Sequence, residues 1–467
     1  MFLKKAIEYK NFWKVTEQIK YLKGDFPWIF REPYYQTFMK SIFYLLFFLF
    51  LISCSGLKNS FKKSDTFSKG YTGFALYDPE KEKMIYVQNE DKYFVPASNT
   101  KLFTFYAAQK ILGDSVPGLY YIESDDSLIF WGTGDPSFLH PDFQNTLAFD
   151  FLKYHSKDLF YANNFKEVNP LGPGWSWDWY NYYYGTEKSA FPIYGNFVRF
   201  EKLFEDSAFS IHPFFFYENV RADSSLVTDD YRFTRSQFTN EYSFIIKKYD
   251  SLEFEIDKPF AGSDTLVIKL LEDTLKRNVQ LIPFSDYDSR TFEVLKTISS
   301  DSLFKKMLKE SDNFVAEQLL LLCSQVLFDS FNIEAVIDYS KANFLNKLPD
   351  EPQWVDGSGL SGYNMFTPRS VIALLKMIHQ EYPEEKILEY LPVGGESGTI
   401  KNNYKADKPY VFAKTGTLSN SICLSGYLLT KKGRKLIFSF MHNNYVISSS
   451  ELKEEMERIL WKIHEEY

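Results

Sequence analysis

The chain has 467 residues, enough for two or three domains with sizeable cores. Its 53 basic and 61 acidic residues are mixed along the sequence and leave a net charge of −8, with no basic stripe to suggest a nucleic-acid partner. Six scattered histidines and three cysteines show no paired-ligand spacing, so neither a metal nor a cofactor is predicted.

Ile42–Ile52 is an unbroken apolar run, of a length that suits a signal-peptide core and is short for a membrane span. Leu51-Ile52-Ser53-Cys54 resembles a bacterial lipobox, which makes Cys54 the candidate lipidation site and predicts an exported, periplasmic, membrane-anchored lipoprotein. Met39-Lys40-Ser41 would be the charged start of that signal. The expected layout is then an upstream extension (1–38), a signal peptide (39–54) and a flexible Ser/Lys/Gly-rich tether (55–70). A signal anchor with a cytoplasmic tail is the competing reading of the same residues.

Tyr71–Glu80 and Lys83–Gln88 read as a hairpin around an Asp-Pro turn. Val95-Pro96-Ala97 reads as an extended entry to a helix over Lys101–Lys110, with Gly113 as its stop. From 114 to 290 short strand-like runs dominate, among them Leu128–Trp131, Leu252–Ile256 and Thr265–Leu270, which predicts a β-rich inserted domain. Helical periodicity returns at 291. Phe314–Leu327 and Pro368–Tyr382 are expected helices, then strands at 409–414, 422–430 and 435–442, and a closing helix over Glu451–His464. Cys323 and Cys423 fall in apolar runs and read as packed thiols.

Three short motifs carry chemistry. In Ser98-Asn99-Thr100-Lys101 the lysine lies one helical turn from the serine, on the same face. Serine needs an adjacent base to become a nucleophile, and lysine serves only if burial or a second cation lowers its pKa. Ser311-Asp312-Asn313 opens the apolar helix, and Lys414-Thr415-Gly416-Thr417 follows a strand. Each has a bland reading: Ser98 and Ser311 as N-caps, Asp312-Asn313 as a turn, Lys414-Thr-Gly as a strand end. S-x-x-K, S-D-N and K-T-G together, in this order, are the set of penicillin-binding proteins and class A β-lactamases.

From Tyr71 onward the chain resembles the class C low-molecular-mass penicillin-binding proteins, the D-alanyl-D-alanine carboxypeptidase/endopeptidase family. The resemblance extends to Gly132-Thr133-Gly134-Asp135-Pro136, Gly174-Trp175-Ser176-Trp177-Asp178, Ala316-Glu317, Asp356-Gly357-Ser358-Gly359-Leu360-Ser361 and Gly398-Thr399. It departs from the family at Ser137-Phe138 and at Gly362, where Arg is common. It implies an α+β transpeptidase/β-lactamase-like core, an antiparallel sheet covered by helices, formed by 71–113 and 291–467 around the 114–290 insert. It further implies a penicillin-sensitive serine enzyme acting on peptidoglycan stem peptides. Ser98 would be the nucleophile, Lys101 the general base with its pKa lowered by Lys414, and Ser311 a proton relay. Asn313 would hold a peptide amide. Backbone N–H groups of Ser98 and Thr417 would form the oxyanion hole, and Thr415, Gly416 and Thr417 the carboxylate-binding strand. β-Lactams would acylate the same serine. Asp356-Gly-Ser-Gly reads as a tight turn in the cleft floor.

Two rivals stand beside this reading. A serine β-lactamase would need a glutamate-activated water; Glu351-Pro352 is suitably spaced, but Val355 stands where that family's loop has Asn. A catalytically silent peptidoglycan-binding lipoprotein would have no need of Lys101.

Overall fold

The computed structural model describes residues 56–163, 168–203, 208–228, 232–247, 253–284 and 292–467. The upstream extension, the signal segment and Cys54 lie outside the described residues. Residues up to Lys63 form a separate unit, described only by a helical stretch at 56–62.

In the second unit α1 (Asp65–Ser68) is N-capped by the Ser64 hydroxyl, which accepts from the Phe67 amide. Phe67 packs 5.3 Å from Phe440 and 5.8 Å from His442. The tether expected over 55–70 is therefore corrected: a cap and a docked aromatic ring order its second half. β1 (Tyr71–Asp78) and β2 (Lys83–Gln88) form the expected hairpin. The entry to α2 (Thr100–Ile111) is not extended as expected. Pro96 is helical and Ala97 takes φ +46°, so Ser98, the expected nucleophile, sits on a tight turn.

The insert contains β3 (Ser115–Glu123), β4 (Ser127–Gly132), α3 (Leu147–Tyr154), β5 (Asp158–Asn163), β6 (Phe197–Lys202) and β7 (Ser210–His212). It continues with β8 (Val220–Thr228), β9 (Arg232–Arg235), β10 (Tyr242–Lys247), β11 (Phe254–Pro259), α4 (Asp264–Leu275), β12 (Val279–Pro283) and β13 (Glu293–Ser299). The strands assemble as a mixed sheet β12-β5-β4-β3-β13 and two three-stranded sheets, β11-β6-β7 and β8-β10-β9. Two expectations need correction. Thr265–Leu270 is helical: Ser263 caps it, and Val267, Leu270, Leu271 and Leu275 are buried at helical rather than alternating spacing. The insert also ends at Ser299 rather than 290, because β13 pairs antiparallel with β3.

The chain then returns to the first domain with α5 (Ser300–Lys309), α6 (Asn313–Phe328), α7 (Ile333–Asn343), α8 (Pro368–Glu381) and α9 (Glu384–Tyr390). It closes with β14 (Val411–Leu418), β15 (Ser421–Leu429), β16 (Lys435–Asn443) and α10 (Ser449–Glu466). The sheet order is β14-β15-β16-β1-β2, antiparallel throughout, so the fold is α+β with helices on an antiparallel sheet, as expected. α6 is buried without interruption from Phe314 to Gln325, which is why apolar residues occur on every side of it, with Glu317 and Gln318 the exceptions near its start. Each of its fully buried Leu and Val side chains contributes about 1.5–3 kcal/mol. Cys323 and Cys423 are free, buried thiols, as predicted.

Candidate active site

All three motifs meet at one cleft. Ser98 comes from the turn before α2, Ser311 and Asn313 from the start of α6, and Lys414 from β14. Ser98, Ser311, Thr399, Thr415 and Thr417 line a cavity of about 260 Å³. β14 can run against the nucleophile turn only because Gly416 has no side chain. A methyl group there would sit 2.6 Å from the Pro96 carbonyl oxygen and 3.0 Å from the Ser98 nitrogen. This approach sets Gly416 against the backbone of Ser98, and Thr417, the next residue, lines the same cavity as Ser98. Asn99 ties the two segments together by donating to the Lys414 carbonyl at 3.0 Å. Gly359, at φ +84°, supports the turn from the other side; a methyl group on it would fall 1.9 Å from the Ala97 carbonyl oxygen.

The site holds two Ser–Lys pairs. Lys101 Nζ lies 2.9 Å from Ser98 Oγ, and Lys414 Nζ lies 2.7 Å from Ser311 Oγ. Both lysines are fully buried. Lys101 also donates to Asn313 Oδ1 and to the Ser358 carbonyl, each at 2.6 Å. Those two oxygens can only accept, so a neutral Lys101 has its lone pair left for the Ser98 hydroxyl proton. Lys414 is held likewise by the Thr415 carbonyl at 2.8 Å. Ser311 has φ +65°, so each serine has a strained residue at or beside it, Ala97 for Ser98 and Ser311 itself.

Burial lowers the Lys101 pKa to about 8, opposed by the charges of Asp356, Asp312 and Glu317. Burial also pushes Lys414 well below the ordinary lysine value, and the nearby charge of Lys101 adds to this. Desolvation is the largest cause at both lysines, and the carboxylates of Asp356, Asp312 and Glu317 oppose it at Lys101.

Asn313 is engaged differently from the expected role of free amide binder. Its Oδ1 accepts from Lys101 and its Nδ2 donates to the Tyr184 carbonyl at 3.0 Å. Asp312 caps α6 through Val315 and accepts a short hydrogen bond from the Tyr183 hydroxyl. Thr415 Oγ1 pairs with Thr399 Oγ1 at 2.7 Å, which leaves the two hydroxyls together at the cleft wall.

Sequence reasoning left Tyr183, Tyr184, Lys188 and Glu317 without a role, and read Asp356 only as part of a tight turn. Glu317 and Asp356 stood inside recognised blocks, but the Tyr and Lys residues come from the insert and carry no motif. Asp356 accepts from the amides of Gly359 and Ser361 and from Trp175 Nε1, and so shapes the turn that presents the Ser358 carbonyl. Ser358 itself is fully buried, in keeping with a structural turn. Glu351 is exposed and paired with Lys341 at 3.0 Å. Among the described residues, no group of three or more His, Cys, Asp and Glu is placed to hold a metal ion.

A model of the D-Ala-D-Ala carboxypeptidase 3 (S13) family matches residues 57–206 and 264–462. The skipped stretch, 207–263, carries β7 to β11. The chain is similar to D-alanyl-D-alanine carboxypeptidase DacB of Haemophilus influenzae, 28% identical over 171 residues, covering 33% of this chain and 34% of that protein. It is 24% identical over 424 residues to a D-alanyl-D-alanine carboxypeptidase of Actinomadura sp., covering 80% of this chain and 78% of that protein. The alignments with the first curated relatives span little more than a third of their length. The crystal structure of penicillin binding protein 4 (dacB) from Haemophilus influenzae superposes with a TM-score of 0.66 at 20% identity, over 88% of this chain and 99% of that one, and shares its fold.

Proposed function

The chain belongs to the D-Ala-D-Ala carboxypeptidase 3 (S13) family, and from that premise we propose that it is a serine hydrolase acting on peptidoglycan stem peptides, a D-alanyl-D-alanine carboxypeptidase/endopeptidase. The observation that carries this reading is the Ser98–Lys101 contact of 2.9 Å, made by a buried lysine held at about 8. Lys101 takes the Ser98 proton as Ser98 attacks the carbonyl of the penultimate D-alanine. The backbone amides of Ser98 and Thr417 face the developing oxyanion; losing such a donor costs roughly 3–4 kcal/mol of barrier. Ser311, bonded to Lys414, passes a proton to the leaving amine. Thr415 and Thr417, beside Lys414, receive the terminal carboxylate. Water then hydrolyses the acyl-Ser98 ester. Penicillin enters the same path, and a β-lactam complex of the Haemophilus influenzae penicillin binding protein 4 supports this. The protein works after export, as a periplasmic lipoprotein tethered through Cys54; mass spectrometry of the mature N-terminus tests that part, and an unmodified Met1 would refute it.

The test of the activity is an intact-mass time course with benzylpenicillin, on wild type beside Ser98→Ala. A penicilloyl adduct that persists on wild type and is absent from the variant supports the proposal. An adduct that vanishes while drug is consumed identifies a β-lactamase, against which the exposed, lysine-paired Glu351 already speaks. No adduct and no consumption leaves a silent wall-binding protein.

A further inference from the structure

Behind the Ser358 turn lies a buried ion pair that joins the insert to the catalytic domain. Glu317 on α6 is fully buried, and Lys188, from the insert segment before β6, is 4% exposed. Lys188 Nζ lies 3.9 Å from Glu317 Oε2, an oxygen that has no hydrogen-bond partner among the described residues. The other carboxylate oxygen, Oε1, accepts the Ser358 amide at 2.8 Å. The Ser358 carbonyl in turn accepts from Lys101 at 2.6 Å. The Lys188 ammonium also rests 4.7 Å from the centre of the Trp175 ring, and Trp175 donates to Asp356 at 3.0 Å. Two insert residues thus hold the two carboxylates on which the Ser358 turn is built. Neither residue touches the cavity.

We propose that Lys188 is a positioning residue for the reaction: through Glu317 and the Ser358 turn, it sets the electrostatics at Lys101 and hence the pH at which Ser98 becomes reactive. This rests on the reading of Ser98 and Lys101 as nucleophile and base. The charged groups facing Lys101 are Asp356, Asp312 and Glu317, with Lys414 across the cleft. Those facing Glu317 are Lys188 and Asp356. Burial drives Glu317 toward its neutral form and Lys188 toward its own, and the charge of each opposes that drive in the other. An isolated buried carboxylate takes up a proton rather than stay charged. Without the Lys188 cation, Glu317 becomes neutral and one negative charge near Lys101 disappears. That charge favours the ammonium form of Lys101, so its loss frees the amine at lower pH.

The experiment is the pH dependence of the second-order rate constant for acylation by benzylpenicillin, on full-length wild type, Lys188→Met, Lys188→Arg and Glu317→Gln. The acid limb of Lys188→Met should move to lower pH by about one unit. Glu317→Gln should move it in the same direction, and Lys188→Arg should return it to the wild-type position. If Lys188→Met does not fold, Glu317→Gln carries the measurement, since amide and carboxylate share a shape. A lowered plateau with an unmoved limb would make the pair mere packing and overturn the proposal. If wild type itself takes no penicillin, the reading of Ser98 fails, which is a different result from an unmoved limb on an active enzyme.

Discussion

The carbonyl of Tyr184 accepts a hydrogen bond from the side-chain amide of Asn313, whose oxygen accepts from Lys101. The insert therefore reaches Lys101, the proposed base, through two hydrogen bonds. Asn313→Asp keeps the shape but replaces a donor with a charge beside Lys101. A carboxylate there favours the ammonium, so the acid limb of acylation should move up by about one unit or more. A variant whose limb stays in place would mean that Asn313 does not face the base in solution.

Lys101 should govern the wild-type profile. With its pKa lowered to about 8 by burial, acylation should rise with pH below that value and level off above it. Lys101→Ala should slow acylation by a factor of roughly 10²–10⁴, the usual worth of a positioned base. Stopped-flow rates from pH 6 to 10 check both statements, and wild-type speed in the alanine variant would end the assignment of the base.

The Tyr183 hydroxyl donates a hydrogen bond to Asp312, which also caps α6. Tyr183→Phe leaves the cap but removes a charge-assisted bond from a buried site, a loss of roughly 1.5–3 kcal/mol. Thermal unfolding should show this together with slower acylation, because Asp312 stands between Ser311 and Asn313.

Gly359→Ala is expected to do more damage than its size suggests. The residue sits at φ +84°, and the added methyl would meet the Ala97 carbonyl at 1.9 Å. A strained backbone position costs about 1–3 kcal/mol before any clash. The variant should lose acylation even where it still folds, because the displaced atom belongs to the residue preceding Ser98. Circular dichroism read beside adduct formation separates the two effects.

Acid should weaken the joint between insert and core. Burial raises the Asp142 pKa, but Lys306 at 2.5 Å and Arg199 at 2.8 Å outweigh it and hold the carboxyl at about 2. Its folded pKa lies below the unfolded one, so its stabilisation is present above about pH 4 and is lost between about 4 and 2. Burial also lowers neighbouring His140 to about 4. The unfolded chain takes up that proton from about pH 6.5 downward, so stability falls over that window as well. Asp142→Asn should lower stability at pH 7 by roughly 1–2 kcal/mol, discounted for partial exposure. The gap to wild type should close near pH 2.

The core elements were legible because their signals are local. Ser98 and Lys101 are one turn apart, α8 starts at Thr367-Pro368, and β14, β15 and β16 alternate with turns. Thr265–Leu270 misled because a short apolar run looks alike in strand and helix; only Val267 and Leu275, read with Ser263, reveal the longer period. β13 hid because its pairing partner, β3, lies on the far side of the whole insert. Lys188, Tyr183 and Tyr184 were illegible for the same reason. Their importance comes from what they meet across the domain boundary, and no spacing in the chain encodes that meeting. Ala97 has the plainest of side chains, and its φ of +46° arises from the segments packed around it.

The pairing of β1 with β16 sets an order of assembly. Tyr71 is registered against Asn443, and Asn443 also accepts from the Val95 amide at 2.7 Å, just ahead of the Ser98 turn. The first strand made waits for the last, while the sheets of the insert can form in between from nearer partners. Contacts of such long sequence separation form slowly. A growing chain thus holds Ser98 on an unsupported loop, and the cleft around it is completed only when synthesis has reached β16.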